Sequence, residues 1–241
     1  VQDKFWEQSE AENIMSKTAG LKEAIVHRVH AIQTKQRPPT PFDLTTLQTE
    51  AFRCLNTSPK QTLAISQNLY LGGLISSPRT SSQQLPESIG FRDIMHKLAK
   101  QKTYSDIIKT VLAGKLIPNN GKKEDPAHPA IYPTGVTPKS LEGKDAAVYD
   151  LIVRRFLATF GEPAVRETVT ITLNANQEHF TAKGTRTIHP GWHLLYGPHV
   201  KLEEQELPPV QEREVVKVLK ITMHTKETLP PKRYTESSII K

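Results

Sequence analysis

The residues best suited to chemistry in this chain lie in two short polar segments. The first runs from Ser77 to Ser82 and contains Arg79 among hydroxyl side chains. A guanidinium group can bind two phosphate oxygens, and hydroxyl groups can donate to phosphate oxygens as well. The second contains His128, a side chain that titrates near neutrality and can bind an anion or transfer a proton. By residue type alone, Arg79 fits a surface ion pair better, and His128 fits a solvated loop.

A metal site would need a cluster of ligands, and the sequence offers no convincing one. His189, His193 and His199 recur in a short stretch, but prolines and a glycine interrupt the backbone between them. Their spacing matches no zinc signature. The single cysteine, Cys54, excludes a cysteine-rich zinc site and an internal disulfide, and is most simply a small core residue. We therefore predict no metal site in this chain.

Composition sets broad limits on the class of protein. The chain has 241 residues, 37% of them hydrophobic and 24% charged, which is enough for one large domain or two small ones. No apolar run approaches the ~20 residues needed to cross a bilayer, and a lone cysteine fits a reducing, cytoplasmic interior. The net charge of +7 favours polyanionic partners, but it is weak evidence for DNA because many basic proteins never bind nucleic acid.

Hydrophobic periodicity predicts the order of the elements. Apolar positions at helical spacing predict helices over residues 9–18, 44–55, 59–71, 91–101, 104–113 and 145–160. Alternation predicts strands over residues 24–33 and 169–173, around Phe180, and over residues 219–223. A proline cluster at residues 37–41 is the first predicted domain boundary. Strand-rich, helix-rich and strand-rich parts follow one another, so we predict an α+β fold with a helical domain inserted into a discontinuous β-rich domain.

The two polar segments also carry a resemblance to a known family. Residues 69–86, LYLGGLISSPRTSSQQLP, resemble the active-site segment of archaeal-type type IA DNA topoisomerases. Residues 127–134, AHPAIYPT, resemble the histidine signature of that family. Residues 149–158 and 231–238 resemble the helix that closes the gate domain and the re-entry into the enzyme body. Four matches in the expected order extend the resemblance over nearly the whole chain.

The resemblance implies the arch and gate domains of such an enzyme. Residues 1–37 and 164–225 would form the β-rich arch, residues 38–163 the helical gate, and residues 226–241 the start of a return to the enzyme body. The chain begins without a methionine, which suggests a piece of a longer protein. The parent enzyme would cut one DNA strand through a 5′-phosphotyrosine, pass a strand through the gap and reseal it, relaxing negative supercoils.

The resemblance also assigns roles to three residues. In the family, the tyrosine nucleophile lies two residues before the motif arginine, a position that Ser77 occupies here. Since an alkyl alcohol is a poorer leaving group than a phenol and needs a dedicated base, we expect a chain that does not cleave; serine as a surrogate nucleophile is the less favoured alternative. Arg79 would lie beside the scissile phosphate and stabilise transition-state charge, and His128 would bind the DNA backbone or assist proton transfer.

Further DNA contacts are implied by position in the motifs. The candidates are Thr80, Ser81, Gln67, Tyr70, Arg154 and Arg155. Tyr70 could stack a base, although a half-buried core tyrosine is at least as plausible a role. One of Arg154 and Arg155 should face outward toward nucleic acid, and ordinary solvation of the helix is the equal alternative. Thr80 and Ser81 could donate to phosphate or could be turn residues.

The family's magnesium site lies in a Toprim domain, in an acidic cluster with a Glu and an Asp-x-Asp sequence that does not occur here. Mg²⁺ is therefore expected in the parent enzyme and not on this chain. The implied partners are single-stranded DNA and the Toprim and body domains of the same polypeptide, with no membrane. A non-catalytic single-stranded nucleic-acid clamp and part of a reverse gyrase remain as alternatives. If the chain were a helical scaffold unrelated to this family, the four motif matches in the expected order would have to be accidental.

Overall fold

The structure is a computed structural model that describes residues 4–240. It is an α+β protein. In chain order its elements are α1 (Gln8–Lys17), β1 (Glu23–Gln36), α2 (Leu44–Leu55), α3 (Pro59–Leu71), α4 (Phe91–Leu98), α5 (Lys102–Leu112), α6 (Gly143–Ala158), β2 (Ala164–Ala175), β3 (Glu178–His189), α7 (Trp192–Tyr196), β4 (Val215–Lys217) and α8 (Glu236–Ile239). Across residues 4–240, every helix is too short or too polar to cross a membrane.

The chain forms two compact units, each made of separate stretches of sequence. Unit 1 combines the residues up to Thr34 with Val165–Ile188 and Glu203–Pro231. Unit 2 combines Lys35–Ala164 and His189–Leu202 with the residues from Lys232 onward. In sequence, most of unit 2 is therefore an insertion into unit 1.

Unit 1 is built on a four-stranded sheet with the order β3-β2-β1-β4. Strands β1 and β4 pair antiparallel, with Ala24 opposite Val216. Strands β2 and β3 form a hairpin across Asn176 and Gln177, whose φ angles are 51° and 69°. Positive φ at both central residues gives a turn whose twist matches that of the flanking strands, and asparagine tolerates this conformation well.

Unit 2 is a cluster of helices around α6. This helix buries residues on almost every side, including Val148, Leu151, Ile152, Val153 and Phe156, and a helix that is apolar all round belongs at the centre of a core. Near its carboxyl end, the Phe160 ring packs edge to face against the rings of Phe91 and Phe156. The remaining core side chains include Phe42, Leu47, Ile75, Met95, Leu98, Ile108, Leu195 and Tyr196.

Two parts of the structure differ from the sequence-based prediction. The sequence predicts residues 189–202 as part of the β-rich domain. In the structure they belong to unit 2, because Leu195 and Tyr196 are buried in its core. The strand predicted over residues 219–223 does not form; the backbone there is irregular, Leu219 is 86% exposed, and the strand lies at Val215–Lys217 instead. The alternation of apolar and polar residues indicates an amphipathic strand, but it contains no information about whether another strand lies close enough to pair with it.

The unit boundaries also differ slightly in position. In the structure they fall after Thr34, Ala164 and Pro231. The sequence predicts them after residues 37, 163 and 225. The predicted outer limits of the domains, at residues 1 and 241, lie outside the described residues.

The close approach of Gly161 to α7 generates a stability prediction. A Cβ atom at this position would lie 2.7 Å from the Cβ atom and 2.9 Å from the Cα atom of Trp192, atoms that cannot move without the backbone. We expect Gly161→Ala to lower the free energy of unfolding of unit 2 by about 1–3 kcal/mol through overpacking. Urea denaturation followed by tryptophan fluorescence would measure the change.

Gly114 offers a matched control for that measurement. A Cβ atom there would meet only the Val111 carbonyl oxygen, at an ordinary 3.5 Å. Gly114→Ala should therefore leave the stability of unit 2 almost unchanged. Equal effects of the two substitutions would contradict the proposed packing of Gly161.

Candidate functional site

The first polar segment is positioned by the end of helix α3. Ser58 caps this helix by accepting a hydrogen bond from the Gln61 amide, and Pro59 occupies its first turn. The helix ends at Leu71, and Gly73 has a left-handed φ of 71°, a conformation that costs glycine little. The chain then passes directly into Leu74 and the residues of the motif, so the helix end fixes where the motif begins.

The chain just before the first polar segment pairs with the chain just after His128, although more than fifty residues of sequence separate the paired residues. Ile75 forms an antiparallel bridge with Pro133. The Ser76 amide donates to the Tyr132 carbonyl oxygen at 2.9 Å, and the Thr134 amide donates to the Leu74 carbonyl oxygen at 3.0 Å. The Ser76 hydroxyl also accepts from the Tyr132 amide at 3.0 Å. Backbone and side-chain hydrogen bonds therefore hold the two predicted motifs side by side.

A second set of contacts brings the arginine part of the motif to the histidine. The hydroxyl group of Thr80 donates to the His128 carbonyl oxygen at 3.3 Å, and the Leu44 amide donates to the Thr80 carbonyl oxygen at 3.0 Å. Thr80 is buried, so its hydroxyl group is used inside the protein. Thr80 therefore positions its neighbours and does not present a free donor.

Ser77, Arg79 and His128 are left with free side chains. Ser77 is half-buried, whereas Arg79 and His128 are exposed. Among residues 4–240, none of these three side chains makes a hydrogen bond or an ion pair. An exposed guanidinium group without an internal carboxylate partner is available to an anionic ligand. The surface ion pair that sequence alone favoured for Arg79 is therefore not formed within the described part of the chain.

Asp125 shapes the loop that carries His128. Its carboxylate accepts from the amides of Ala127 and His128, at 2.9 and 3.2 Å, and from the amide and hydroxyl groups of Ser81, at 3.4 and 3.3 Å. The Ala127 amide, followed by the Ser81 amide, holds the pKa of Asp125 below its ordinary value, because these donors favour the charged carboxylate. One partly exposed carboxylate thus links the two motif segments, and the Ser81 hydroxyl is engaged in this link.

Asp43 and Lys123 belong to the same region, and the sequence analysis did not select either of them. The Asp43 carboxylate caps α2 by accepting from the Thr46 amide at 2.7 Å, and it also accepts from Gln83 at 3.1 Å and pairs with Lys123 at 3.2 Å. Asp43 and Thr46 could have been recognised as a capping pair. No local pattern links Asp43 to Lys123, because the two are far apart in sequence.

These residues surround an open depression of about 570 Å³ in unit 2. Arg79 and Lys123 contribute cationic groups to its wall, Asp43 and Asp125 contribute carboxylates, and Leu44 and Leu63 contribute apolar surface. Depressions of this size accommodate small molecules or single units of a polymer. The arrangement can hold an anionic group against a cationic wall and an apolar group beside it.

The remaining candidates of the DNA-binding set lie on α3 and α6. Tyr70 is 42% exposed, while Gln67 is half-buried, and its side-chain oxygen has no hydrogen-bond partner among the described residues. Tyr70 is therefore open to contact from outside, as base stacking would require. Gln67 is less accessible, because its amide oxygen is enclosed.

The expectation that Arg154 or Arg155 faces outward is wrong. Their side chains are only 14% and 13% exposed. Arg154 donates to Asp150 at 3.0 Å, and Arg155 donates to the Thr40 carbonyl oxygen at 2.7 Å while its guanidinium lies 4.4 Å from the centre of the Phe42 ring. Both belong to α6, whose central position surrounds them with other elements of unit 2, so pairing inside the protein replaces solvation.

Two of the histidines considered as possible metal ligands lie beside single carboxylates and not in a ligand cluster, in the part of the chain that the structure describes. There, no group of three or more His, Cys, Asp or Glu side chains could hold a metal ion. His199 instead hydrogen-bonds to Asp150 at 2.8 Å, and His189 lies 3.5 Å from Glu162. The described residues therefore offer no ligand set for a magnesium ion.

Comparison with known proteins agrees with the motifs and the fold. The sequence profile of the DNA topoisomerase family matches residues 1–241. DNA topoisomerase 1 of Pyrococcus horikoshii is 46% identical over 99% of this chain and 35% of its own length, and that of Methanocaldococcus jannaschii is 43% identical over 99% of this chain and 31% of its own. Full-length topoisomerase I from Thermotoga maritima shares the fold, with a TM-score of 0.72 and 24% identity over 99% of this chain and 39% of that one.

The chain belongs to the type IA DNA topoisomerase family. It spans about a third of the length of the curated relatives described above, at 35% and 31%. The family resemblance predicted from the motifs is thereby confirmed.

The hydrogen bonds of Asp125 generate a prediction about the His128 loop. In Asp125→Ala, the amides of Ala127 and His128 lose their shared acceptor, so their hydrogen exchange, followed by NMR, should accelerate. Glu124→Ala is the matched control, because Glu124 is an exposed neighbour without a described partner. Unchanged exchange in Asp125→Ala would contradict the role of this carboxylate.

The same carboxylate predicts a pH dependence. Because the folded-state pKa of Asp125 is lowered, its stabilising effect is present above the unfolded-state value of about 3.9 and is lost as pH falls through the lower folded-state pKa. The amide chemical shifts of Ala127 and Ser81, which both donate to Asp125, should therefore change together with a common midpoint in this acidic range. A common midpoint near neutral pH would contradict the assignment.

Proposed function

We propose that this chain is the part of a type IA DNA topoisomerase that holds a single DNA strand at the cleavage position, and that Ser77 occupies the position of the nucleophile. The observation that carries the proposal is the pairing of residues 74–76 with residues 130–134. Through this pairing and the contact of Thr80 with His128, the hydroxyl-arginine motif and the histidine motif share one region of unit 2. In the parent enzyme, this region would meet the phosphodiester that is cut.

The free side chain of Arg79 supports a phosphate-binding role. Arginine binds phosphate through two parallel N–H donors, and the Arg79 guanidinium has no internal partner to displace in the described chain. His128, exposed and linked to the motif through its carbonyl oxygen, would donate to the neighbouring phosphate or assist a proton transfer there. Both side chains can contact DNA without a rearrangement of the fold.

Ser77 supports the second half of the proposal, which is that this chain binds DNA without cutting it. In the parent reaction, a tyrosine oxygen would attack phosphorus, a new phosphotyrosine bond would form, and the P–O bond to the 3′ oxygen would break to leave a free hydroxyl group. A serine hydroxyl needs a neighbouring base to accept its proton. Within residues 4–240, no hydrogen-bond acceptor is in place for the Ser77 hydroxyl.

The proposed partners are single-stranded DNA and the Toprim and body domains of the same polypeptide, which would supply the Mg²⁺ site of the parent enzyme. Relaxation of negative supercoils would belong to the whole enzyme. A second candidate function, a non-catalytic single-stranded nucleic-acid clamp with this fold, is favoured by the serine at position 77. The two candidates share the same binding site and differ in whether the parent protein cleaves.

Binding to a labelled single strand tests the shared part of the proposal. Fluorescence anisotropy across a salt titration should show that the strand binds more tightly than a duplex of the same length, with affinity falling as salt rises. Arg79→Ala should reduce the steepness of the log–log salt dependence by about 0.7, the change expected for one phosphate contact in a single strand. Weaker binding is also expected for His128→Ala.

Arg92→Ala is the matched control. Arg92 is another exposed arginine of unit 2, on α4, and has no described partner. Its substitution changes the net charge equally but should leave the salt dependence nearly intact. An Arg92 effect as large as the Arg79 effect would indicate diffuse electrostatic attraction and would contradict a phosphate site at Arg79.

Restoration of the nucleophile tests the position of Ser77. Ser77→Tyr, placed in a polypeptide that also carries a Toprim domain and supplied with Mg²⁺, should form a covalent protein–DNA adduct that survives denaturing electrophoresis. Ser77→Phe in the same polypeptide is the control, because it adds a ring of similar size without the phenolic oxygen, and it should form none. If the folded, metal-supplied Ser77→Tyr protein bound single strands and still formed no adduct, position 77 would not be the nucleophile position.

A further inference from the structure

We propose that Lys123 is a second phosphate-binding residue of this site, and that the depression shared by Lys123 and Arg79 is a subsite for one nucleotide of the bound strand. This inference rests on the proposed function and adds to it a residue that lies outside both sequence motifs. Three properties of the depression carry it: the fixed position of Lys123, the internal use of the carboxylates, and the apolar surface beside the cations.

Lys123 is held at both ends. Its carbonyl oxygen accepts from the Gln83 amide at 2.9 Å, and the Gly121 amide donates to the Gln83 carbonyl oxygen at 3.0 Å, which ties this stretch to the motif segment. At the other end, its ammonium group lies 3.2 Å from the Asp43 carboxylate. A lysine side chain normally loses considerable rotamer freedom when it binds a ligand. Much of that entropy is already lost here, so binding of an anion by Lys123 costs less.

The pairing with Asp43 leaves Lys123 available to a ligand. Its side chain is 59% exposed, and an ammonium group has three N–H donors, of which this contact uses one. Asp43 is 2% exposed and is surrounded by donors from Thr46, Gln83 and Lys123. The carboxylate therefore acts as a buried anchor, and the charge that the pair presents to solvent is the ammonium group.

The second carboxylate of the depression is also engaged internally. Asp125 accepts from Ser81, Ala127 and His128, so its oxygens are occupied by protein donors. Arg79, in contrast, has no internal partner among residues 4–240. The groups that keep unused hydrogen-bond donors in this depression are thus the cationic ones, Arg79 and Lys123, which suits a phosphate.

The other part of the depression is apolar. Leu44 and Leu63 are half-buried and line the same space as Arg79 and Lys123. A nucleotide has an anionic phosphate and a flat, largely apolar face on its base, so it matches both halves of this surface. The volume of about 570 Å³ exceeds what a phosphate alone needs and lies within the range of pockets that bind small molecules.

The first experiment compares Lys123→Gln with Lys122→Gln in the full chain. Both substitutions remove one positive charge, and Lys122 is an exposed neighbour without a described partner. The probe is a short labelled single strand, measured by anisotropy across a salt titration. Lys123→Gln should weaken binding about three- to tenfold at low salt and reduce the salt slope by about 0.7, whereas Lys122→Gln should change both much less.

The second experiment measures whether Asp43→Asn strengthens or weakens DNA binding. Long-range electrostatics alone predicts tighter DNA binding when a negative charge is removed. If Asp43 positions Lys123, binding should instead weaken, because the ammonium group loses its anchor. Asparagine is a good helix cap, so α2 should still form, and thermal unfolding would verify this. In an Asp43→Asn, Lys123→Gln double variant, the effect of Asp43→Asn on binding should largely disappear.

The outcomes separate this inference from the proposed function. If Arg79→Ala weakens binding but Lys123→Gln behaves like Lys122→Gln, the subsite is wrong and the proposed function stands. Tighter binding by folded Asp43→Asn would also overturn the positioning of Lys123. If the unsubstituted chain binds no single strand even at low salt, both proposals fail.

Discussion

The pairing of two loop segments is the constraint on which the candidate site depends. The motif residues have little regular secondary structure of their own, and their backbone amides and carbonyl groups must still find partners where they are buried. Residues 74–76 and 130–134 satisfy this need for each other through the Ser76–Tyr132 and Thr134–Leu74 hydrogen bonds. The same pairing aligns the chain around Ser77 with the chain that leads back to His128. The relative position of the two motif segments is therefore a consequence of backbone hydrogen bonding.

The charged side chains of unit 2 are paired differently around α6 and in the candidate site. Around α6, the charged side chains are paired with each other: Arg154 and His199 both contact Asp150. Burial raises the pKa of Asp150, but its hydrogen bond with His199 and the charge of Arg154 more than compensate and hold that pKa below its ordinary value. Breaking one partner of such a buried set is costly, because it leaves the others desolvated. In the candidate site the carboxylates are the engaged groups, and Arg79 has no side-chain partner among residues 4–240.

Under the proposed function, phosphate binding and strand cleavage are separable properties of this arrangement. Phosphate binding requires accessible cations, which Arg79 would supply directly and Lys123 would supply while its ammonium group is held by Asp43. Cleavage also requires a nucleophile that can lose its proton and later leave, and a serine without a neighbouring base is poorly suited to both steps. Under the same proposal, a segment with serine at this position would retain the first property without the second, since cleavage in the parent enzyme would also require reacting groups from other domains to be brought together.

The sequence by itself determined the family, the α+β class and most of the helices. Helices α2 and α3 occupy the ranges predicted for them, because their caps and apolar spacing are local signals within a few residues of each other. The two motifs were likewise recognisable as short, contiguous stretches. Residue types alone did not reveal their roles, and the resemblance was needed to connect them.

Only the tertiary structure decided which candidates are free and which are engaged. Arg79 is exposed while Arg154 and Arg155 are enclosed, although all three are arginines in motif segments, because α6 is the central helix of unit 2 and the Arg79 loop lies at its surface. The contact of Lys123 with Asp43, the return of residues 189–202 to unit 2 and the absence of a strand at residues 219–223 also escaped prediction. Each depends on partners distant in sequence, and local periodicity contains no information about which distant segments will meet.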